Sequence, residues 1–201
     1  MNPSGGLSRQ TVPILDFGSQ YVQLIARRVR EAGVYSVLVR PDITVKELRG
    51  MNPVGIILSG GPSSVYEAGA PRCDARIFEL NVPVLGICYG MQIATQLLGG
   101  DVKPAQAREY GRTKLRVRRE AEEGATEGEA VADDLLAGVP DETTVWMSHG
   151  DQVQQLGPDF EALASTPTCP MAALRPRPRP FFGVQFHPEV THTPQDRKSV
   201  V

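Results

Sequence analysis

The chain has 201 residues, of which 41% are hydrophobic, and it carries a formal net charge of −2. This length is enough for one domain with a sizeable core, and the weak charge does not point to a nucleic acid or an anionic membrane as a partner. No apolar run approaches the ~18 residues of a membrane span, and the polar N-terminus lacks the apolar stretch of a signal peptide, so we expect a cytoplasmic protein.

Short apolar runs alternate with helical patterns through the first half of the chain. Strands are predicted at 12–15, 34–39, 54–58 and 82–87, and helices begin near Ser19, Thr44, Arg72 and Met91. Ser19 is predicted to cap the first helix, and Thr44 with Glu47 has the spacing of a capping box. This order predicts an α/β fold with a doubly wound, mostly parallel open sheet and function at the carboxyl ends of its strands.

The second half is richer in strands, which are predicted at 114–118, 143–147, 160–165, 171–174 and 181–186. The acidic segment 120–129 is interpreted as a solvated loop. Residues 175–180 alternate arginine with proline and are interpreted as an extended hairpin connection, with a proline-rich recognition segment as the alternative. We expect one domain over residues 11–195 after a disordered extension at 1–10.

Three cysteines are present, at Cys73, Cys88 and Cys169. Because the set is odd and lacks C-x-x-C spacing, it argues against both a disulfide framework and a zinc site. We therefore predict free thiols in a reducing compartment and no metal. Cys73 and Cys169 stand in no recognisable motif and are predicted to be structural.

Residues 86–90 read Gly-Ile-Cys-Tyr-Gly between an apolar strand and a helix. Flanking glycines permit a sharp turn there, because a side chain would meet the neighbouring backbone. Cys88 would then stand at the sheet edge near a helix N-terminus, which favours the reactive thiolate. A buried core cysteine is the ordinary alternative, but this elbow favours a nucleophile.

A candidate base lies about a hundred residues further on, at His187, with a carboxylate two positions later at Glu189. A nucleophilic cysteine needs a base to take its proton, and the base needs an acceptor that orients it. His149 and His192 remain rivals for the base. The Gly60-Gly61-Pro62 loop, which follows the predicted third strand, could supply one backbone amide of an oxyanion hole and Tyr89 the other.

The chain resembles the class I glutamine amidotransferases and, within them, the glutaminase units of GMP synthases. The resemblance extends from residue 12 to about 195. Its motifs are Asp-Phe-Gly-Ser-Gln-Tyr at 16–21, Leu-Ser-Gly-Gly-Pro at 58–62, Gly-Ile-Cys-Tyr-Gly-Met-Gln at 86–92, Arg-Glu-Tyr-Gly at 108–111, Ser-His-Gly-Asp at 148–151 and Gly-Val-Gln-Phe-His-Pro-Glu-Val at 183–190.

The resemblance implies a flavodoxin-like fold and the hydrolysis of glutamine through a thioester on Cys88. It also implies that His187 transfers the proton and that Glu189 orients His187. It implies oxyanion-hole amides at Gly61 and Tyr89. Contacts with the α-amino and α-carboxylate groups of glutamine are implied for a further set of residues: Gln92, Ser148, Gly150 and Asp151.

The resemblance also implies a partner, an ATP pyrophosphatase (synthetase) module that uses ATP and Mg2+ to convert XMP to GMP. No pyrophosphatase loop follows Glu189, so we expect that module on a separate subunit or to be lost, and no cofactor in this domain. Residues 196–201 read as an aberrant or truncated tail, the alternative being a natural short subunit. Two other hypotheses are a cysteine hydrolase acting on peptides or small thioesters and a non-catalytic or fragmentary subunit.

Overall fold

The computed structural model describes residues 10–119, 134–157, 159–176 and 180–190. The tail after residue 190, the acidic segment 120–129 and residues 177–179 lie outside these ranges, as does the N-terminal extension apart from Gln10. Within the described ranges, no helix is both long and apolar enough to cross a membrane.

One sheet and three α-helices make up most of the described structure. The helices are α1 (Val22–Glu31), α2 (Val45–Gly50) and α3 (Tyr89–Leu97). The strands are β1 (Thr11–Leu15), β2 (Tyr35–Val39), β3 (Ile56–Leu58), β4 (Val84–Ile87), β5 (Asp101–Val117), β6 (Glu142–Gln155), β7 (Phe160–Ser165), β8 (Ala173–Pro176) and β9 (Phe181–Val184). Two 3-10 helices cover Ala75–Glu79 and Asp134–Leu136.

The strands are ordered β2-β1-β3-β4-β9-β8-β7-β5-β6. The pairings from β2 to β9 are parallel, and those from β9 to β6 are antiparallel. The first four strands follow the flavodoxin-like order, which confirms the predicted α/β open sheet. The antiparallel part adds a second, meandering half to that sheet.

Alternate side chains of the parallel strands enter two separate cores. Ile14 packs on one face with α1, whereas Leu15 packs on the other face with α2 and α3. Strand β3 divides in the same way, with Ile57 on the first face and Ile56 on the second. Helices on both faces of a sheet buried from both sides define the doubly wound arrangement that was predicted.

The helix ends agree only in part with the predictions. Glu47 and Thr44 form the predicted capping box of α2. Ser19, however, does not cap α1: the N-cap is Tyr21, and the Ser19 hydroxyl accepts a hydrogen bond from the Tyr21 amide in the turn before the helix. The helix predicted over 72–80 is only the short 3-10 helix, whose N-cap is Asp74.

The largest departure is the long antiparallel arm formed by β5 and β6. The strand predicted at 114–118 is the end of β5, which begins at Asp101. Residues 148–151, which follow the strand predicted at 143–147, lie within β6. Because Pro104 pairs with Asp151 and Glu109 with His149, residues 105–108 of β5 bulge opposite Gly150.

Candidate active site

Cys88 lies at a strained turn between β4 and α3. Its backbone has φ 50° and ψ −107°, in a region that side chains rarely adopt. A Cβ at Gly86 would lie 2.7 Å from the Met91 amide nitrogen, and one at Gly90 would overlap the Leu58 carbonyl oxygen. Both flanking positions therefore require glycine, as the sequence predicted.

Three neighbours surround the Cys88 sulfur. Its Sγ lies 3.6 Å from the Ser148 carbonyl oxygen, to which a thiol can donate. The Gln185 amide Nε2 donates to the same sulfur over 3.5 Å. The third neighbour is His187, whose side chain is hydrogen-bonded to Cys88.

His187 and Glu189 form a buried pair directly after β9. Nδ1 of His187 lies 2.8 Å from Oε1 of Glu189, and both side chains are almost fully buried. The His187 amide donates to the Trp146 carbonyl, and the ring of Tyr21 packs edge-on against the imidazole with centroids 5.5 Å apart. The imidazole is thus held between the cysteine and the carboxylate.

The environment of His187 favours its protonated form. Burial lowers the pKa of the imidazole, but the hydrogen bonds with Cys88 and Glu189, together with the charges of those two groups, outweigh burial and raise the pKa to about 10. A positive imidazolium between two acceptors is the arrangement expected of a cysteine–histidine ion pair.

His149, the first rival for the base, bonds to other partners. Its Nδ1 donates to the Asp151 carbonyl over 3.0 Å, and its Nε2 lies 3.2 Å from Oε2 of Glu109. Burial lowers the pKa of His149 and outweighs the attraction of Glu109. The second rival, His192, lies outside the described residues.

The predicted oxyanion-hole residues lie on the two elements that flank the elbow. Tyr89 opens α3, and the first amides of a helix have no acceptor within that helix. Gly61 follows β3, where a Cβ would lie 2.5 Å from the Phe17 carbonyl oxygen. Gly60 lies beside His187 and Cys88, since a Cβ there would stand 3.2 Å from Cε1 of His187 and 3.7 Å from the Cβ of Cys88.

A cavity of about 630 Å³ opens above Cys88 and His187. All four residues predicted to bind the substrate line it, as do Gly61, Arg108 and Tyr110. Gln92, Ser148, Gly150 and Asp151 thus lie in one wall, although they come from α3 and β6. The bulge in β5 brings Arg108 to this wall, where its Nε lies 3.9 Å from the position of a Cβ on Gly150.

One group of side chains near the site has the composition of a metal site. The ligand atoms of Glu109, His149 and Cys169 lie within 4.8 Å of one another. The carboxylate already accepts hydrogen bonds from the hydroxyls of Thr113 and Thr166, and burial raises the pKa of the Cys169 thiol to about 12. A protonated thiol and an occupied carboxylate are poor ligands, and the absence of a metal stays a prediction.

Sequence reasoning missed the contact of Gln185 with the Cys88 sulfur and that of Glu109 with His149. Both residues lie inside motifs that it had identified, at 183–190 and 108–111. A buried polar residue next to a catalytic motif is a signal in itself, because such groups need partners. Most of their partners, however, are distant in sequence, such as Gln92 for Gln185 and His149 for Glu109, and are visible only in three dimensions.

Known proteins similar to this chain have related sequences and folds. Residues 13–200 match the family model of glutamine amidotransferase class-I. The chain is 51% identical over 188 residues, 94% of its length, to a GMP synthase [glutamine-hydrolyzing] of Caldanaerobacter subterraneus, and 50% identical over 187 residues, 93% of its length, to that of Aquifex aeolicus. It spans only 34% of the length of each of these curated relatives.

Solved structures of other proteins also superpose on this chain. A candidate GMP synthase subunit from Thermoplasma acidophilum superposes with a TM-score of 0.81 at 33% identity, covering 95% of this chain and 90% of that one. A glutamine amidotransferase of Thermotoga maritima shares the fold, with a TM-score of 0.66 at 19% identity over 91% of this chain and 77% of its own. The chain therefore belongs to the class I glutamine amidotransferases.

Proposed function

We propose that this chain hydrolyses glutamine to glutamate and ammonia through a thioester on Cys88. The observation that carries the proposal is the contact of Cys88 with a buried His187–Glu189 pair at the floor of one cavity. Membership of the class I family supports the substrate.

The first step is acylation of the cysteine. The Cys88 thiolate attacks the side-chain carbonyl carbon of glutamine, and the electron pair of the C=O bond moves to oxygen. We assign the amides of Gly61 and Tyr89 to this oxyanion. His187 then gives its proton to the departing nitrogen, the C–N bond breaks, and ammonia leaves.

The second step is hydrolysis of the thioester. Neutral His187 takes a proton from water while the water oxygen attacks the thioester carbon. The C–S bond breaks, its electron pair returns to the sulfur of Cys88, and glutamate leaves with the new oxygen. Glu189 keeps the imidazole oriented in both steps and stabilises its charged form.

Substrate recognition is assigned to the wall that Gln92 shares with residues 148–151. Ser148, Gly150 and Asp151 line the cavity from β6, and the Ser148 carbonyl lies beside the sulfur. A glutamine whose side-chain amide reaches Cys88 can therefore bring its other end to this wall. We propose that this wall, together with Gln92, holds the α-amino and α-carboxylate groups.

We further propose that the ammonia is used by a synthetase that converts XMP to GMP with ATP and Mg2+. The support is that relatives about 50% identical are glutamine-hydrolysing GMP synthases, roughly three times as long as this chain. The synthetase would be a partner unit, and this domain itself would need no cofactor. A free-thiol nucleophile suits the reducing cytoplasm as the place of action.

Labelling of Cys88 tests the glutaminase assignment. A diazo-ketone analogue of glutamine should alkylate Cys88, and an excess of glutamine should slow that reaction. Cys88→Ala should abolish labelling and glutamate release, whereas Cys73→Ala, which removes another buried thiol, should change neither. Labelling of Cys88 that glutamine does not slow would refute the assignment.

Titration with a partner tests the wider proposal. We expect glutamate release by the isolated chain to be slow and to rise when an XMP-dependent ATP pyrophosphatase and its substrates are added. Cys88→Ala should give no stimulation under the same conditions. Fast glutamate release without any partner would contradict this regulation but not the thioester chemistry.

A further inference from the structure

Gln185 is a fully buried polar residue beside the proposed nucleophile, and the two-step reaction above gives it no role. It lies between the end of β9 and His187, with an exposed fraction of 0%. Its amide nitrogen Nε2 lies 3.5 Å from the Cys88 sulfur, although 97 positions separate the two residues in sequence.

The orientation of the Gln185 amide follows from its neighbours. Gln92 places its side-chain nitrogen Nε2 2.8 Å from the Asp151 carbonyl oxygen, which can only accept, so this group of Gln92 must be the NH2. The same nitrogen lies 3.2 Å from Oε1 of Gln185, which therefore accepts. Only the NH2 group of Gln185 is then left to face the sulfur.

The far end of this chain of hydrogen bonds is also anchored. The Asp151 carbonyl accepts a second hydrogen bond from Nδ1 of His149, and Glu109 lies against the other ring nitrogen. Oxygens of Glu109 in turn accept from the Thr166 hydroxyl. The donor at the sulfur is thus connected through buried groups to the strand that forms the substrate wall.

We propose that Gln185 is a positioning residue. Its Nε2 donates a hydrogen bond to the Cys88 sulfur and so holds the thiolate between the Gln185 amide and the His187 imidazole. The proposal extends the glutaminase mechanism and rests on it for its kinetic consequence. Its structural basis, a fixed amide donor at the sulfur, is independent of the substrate.

A donor at this position matters when the sulfur carries charge. In the resting enzyme it offsets the repulsion that the Ser148 carbonyl oxygen, 3.6 Å from the sulfur, exerts on a thiolate. In thioester hydrolysis the C–S bond breaks and its electron pair returns to the sulfur, so the donor stabilises the leaving thiolate as it forms. A neutral thioester sulfur is a weak acceptor, which makes the bond stronger in the transition state than in the intermediate.

The test compares Gln185→Leu and Gln185→Glu with Gln152→Leu in the whole chain. Gln152 is also a buried glutamine, but it does not line the cavity and its Oε1 has no partner among the described residues. Leucine removes the donor at similar volume, and glutamate keeps the shape while replacing the donor with an acceptor. Circular dichroism establishes that each variant is folded.

The first readout is the pH profile of Cys88 alkylation by iodoacetamide, together with the ultraviolet absorbance of the thiolate. We expect the midpoint to move upward by about one pH unit in Gln185→Leu, since a charge-assisted hydrogen bond is worth about tenfold. Gln185→Glu should move it further, and Gln152→Leu should not move it. The other titratable groups near the sulfur, His187 and Cys169, are the same in all three variants.

The second readout is the steady-state hydrolysis of glutamine. With thioester hydrolysis as the slow step, Gln185→Leu should lower kcat about tenfold and KM with it, so that kcat/KM, which reports acylation, changes little. An unchanged alkylation midpoint in both Gln185 variants overturns the proposal. If the wild-type chain hydrolyses no glutamine, the proposed function fails, while the alkylation profile still decides the role of Gln185.

Discussion

His187 is subject to opposing effects on its proton. Burial removes the imidazolium from water and favours the neutral ring, but a sulfur on one side and a carboxylate on the other attract the charge. Because the two partners outweigh burial, the histidine should hold its proton through the physiological pH range. In the proposed reaction this proton is available for the departing nitrogen when the thiolate attacks.

Nuclear magnetic resonance of the histidine side chains tests this description. His187 should titrate near its raised pKa of about 10. In Cys88→Ala that pKa should fall, because the hydrogen bond and the charge of the sulfur are lost. His149 is the internal control: burial is the main cause of its lowered pKa and the charge of His187 the smallest, so its titration should change much less in the variant. A His187 signal that titrates near 6.5 in the wild-type chain would contradict the ion pair.

The raised pKa of His187 also predicts the direction in which the stability of the fold changes with pH. His187 has a pKa of about 10 in the folded chain, above its ordinary 6.5, so protonation stabilises the folded state fully below about pH 6.5. This contribution is lost as the pH rises from there towards about 10. The free energy of unfolding in urea should therefore fall less steeply with pH in His187→Gln than in the wild type. A parallel pH dependence in the two proteins would speak against the raised pKa.

That Cys88, His187 and Glu189 lie together could be predicted because each stands in a short motif that local chemistry explains. Cys88 needs its elbow, and His187 and Glu189 are only two positions apart. Gln185 is a neighbour of the same motif, but its function depends on Gln92, which lies on a different element. Sequence order cannot reveal a hydrogen bond between side chains 93 positions apart.

At the scale of elements, the elbow between β4 and α3 depends on close backbone packing. Gly90→Ala should lower the free energy of unfolding by about 2–3 kcal/mol, because the new methyl group would meet the backbone of Leu58. Gly50→Ala is a suitable control, since a Cβ there meets nothing within 4 Å. Urea denaturation of both variants measures the difference. Equal stability of the two would show that the elbow relaxes at little cost.

The first-half elements were predictable because each βα unit carries local signals. Apolar residues of α1 recur on one face, and the box of Thr44 and Glu47 marks the start of α2. The long strand β5 was missed because Pro104 and Gly111 interrupt its pattern and much of its length is exposed. Ser148 and Gly150 were left out of the strand predicted at 143–147 for a related reason: in β6 they face the cavity and not an apolar core.

At the scale of the whole molecule, β9 joins the two halves of the sheet. It pairs in parallel with β4 on one side and antiparallel with β8 on the other. The Cys88 amide donates to the Val184 carbonyl, which fixes the elbow to β9 just before His187. The elbow and the histidine therefore depend on the same pair of strands.

This junction predicts that the site and the antiparallel half unfold together. Trp146, the single tryptophan, lies on β6 and accepts a hydrogen bond from the His187 amide. Its fluorescence and the labelling of Cys88 by the diazo-ketone should be lost at the same urea concentration. Labelling that disappears at clearly lower urea than the fluorescence change would indicate that the site opens while the sheet is still intact.

The central place of β9 also has a consequence for synthesis on the ribosome. Gln185 follows Cys88 by 97 positions, which at ~5–20 residues per second corresponds to a delay on the order of 5–20 s. We expect the nascent chain to present β4 with one open edge, and a thiol without its base, throughout that interval. An open strand edge invites wrong pairing, so this stretch of translation is where a chaperone would have most to protect.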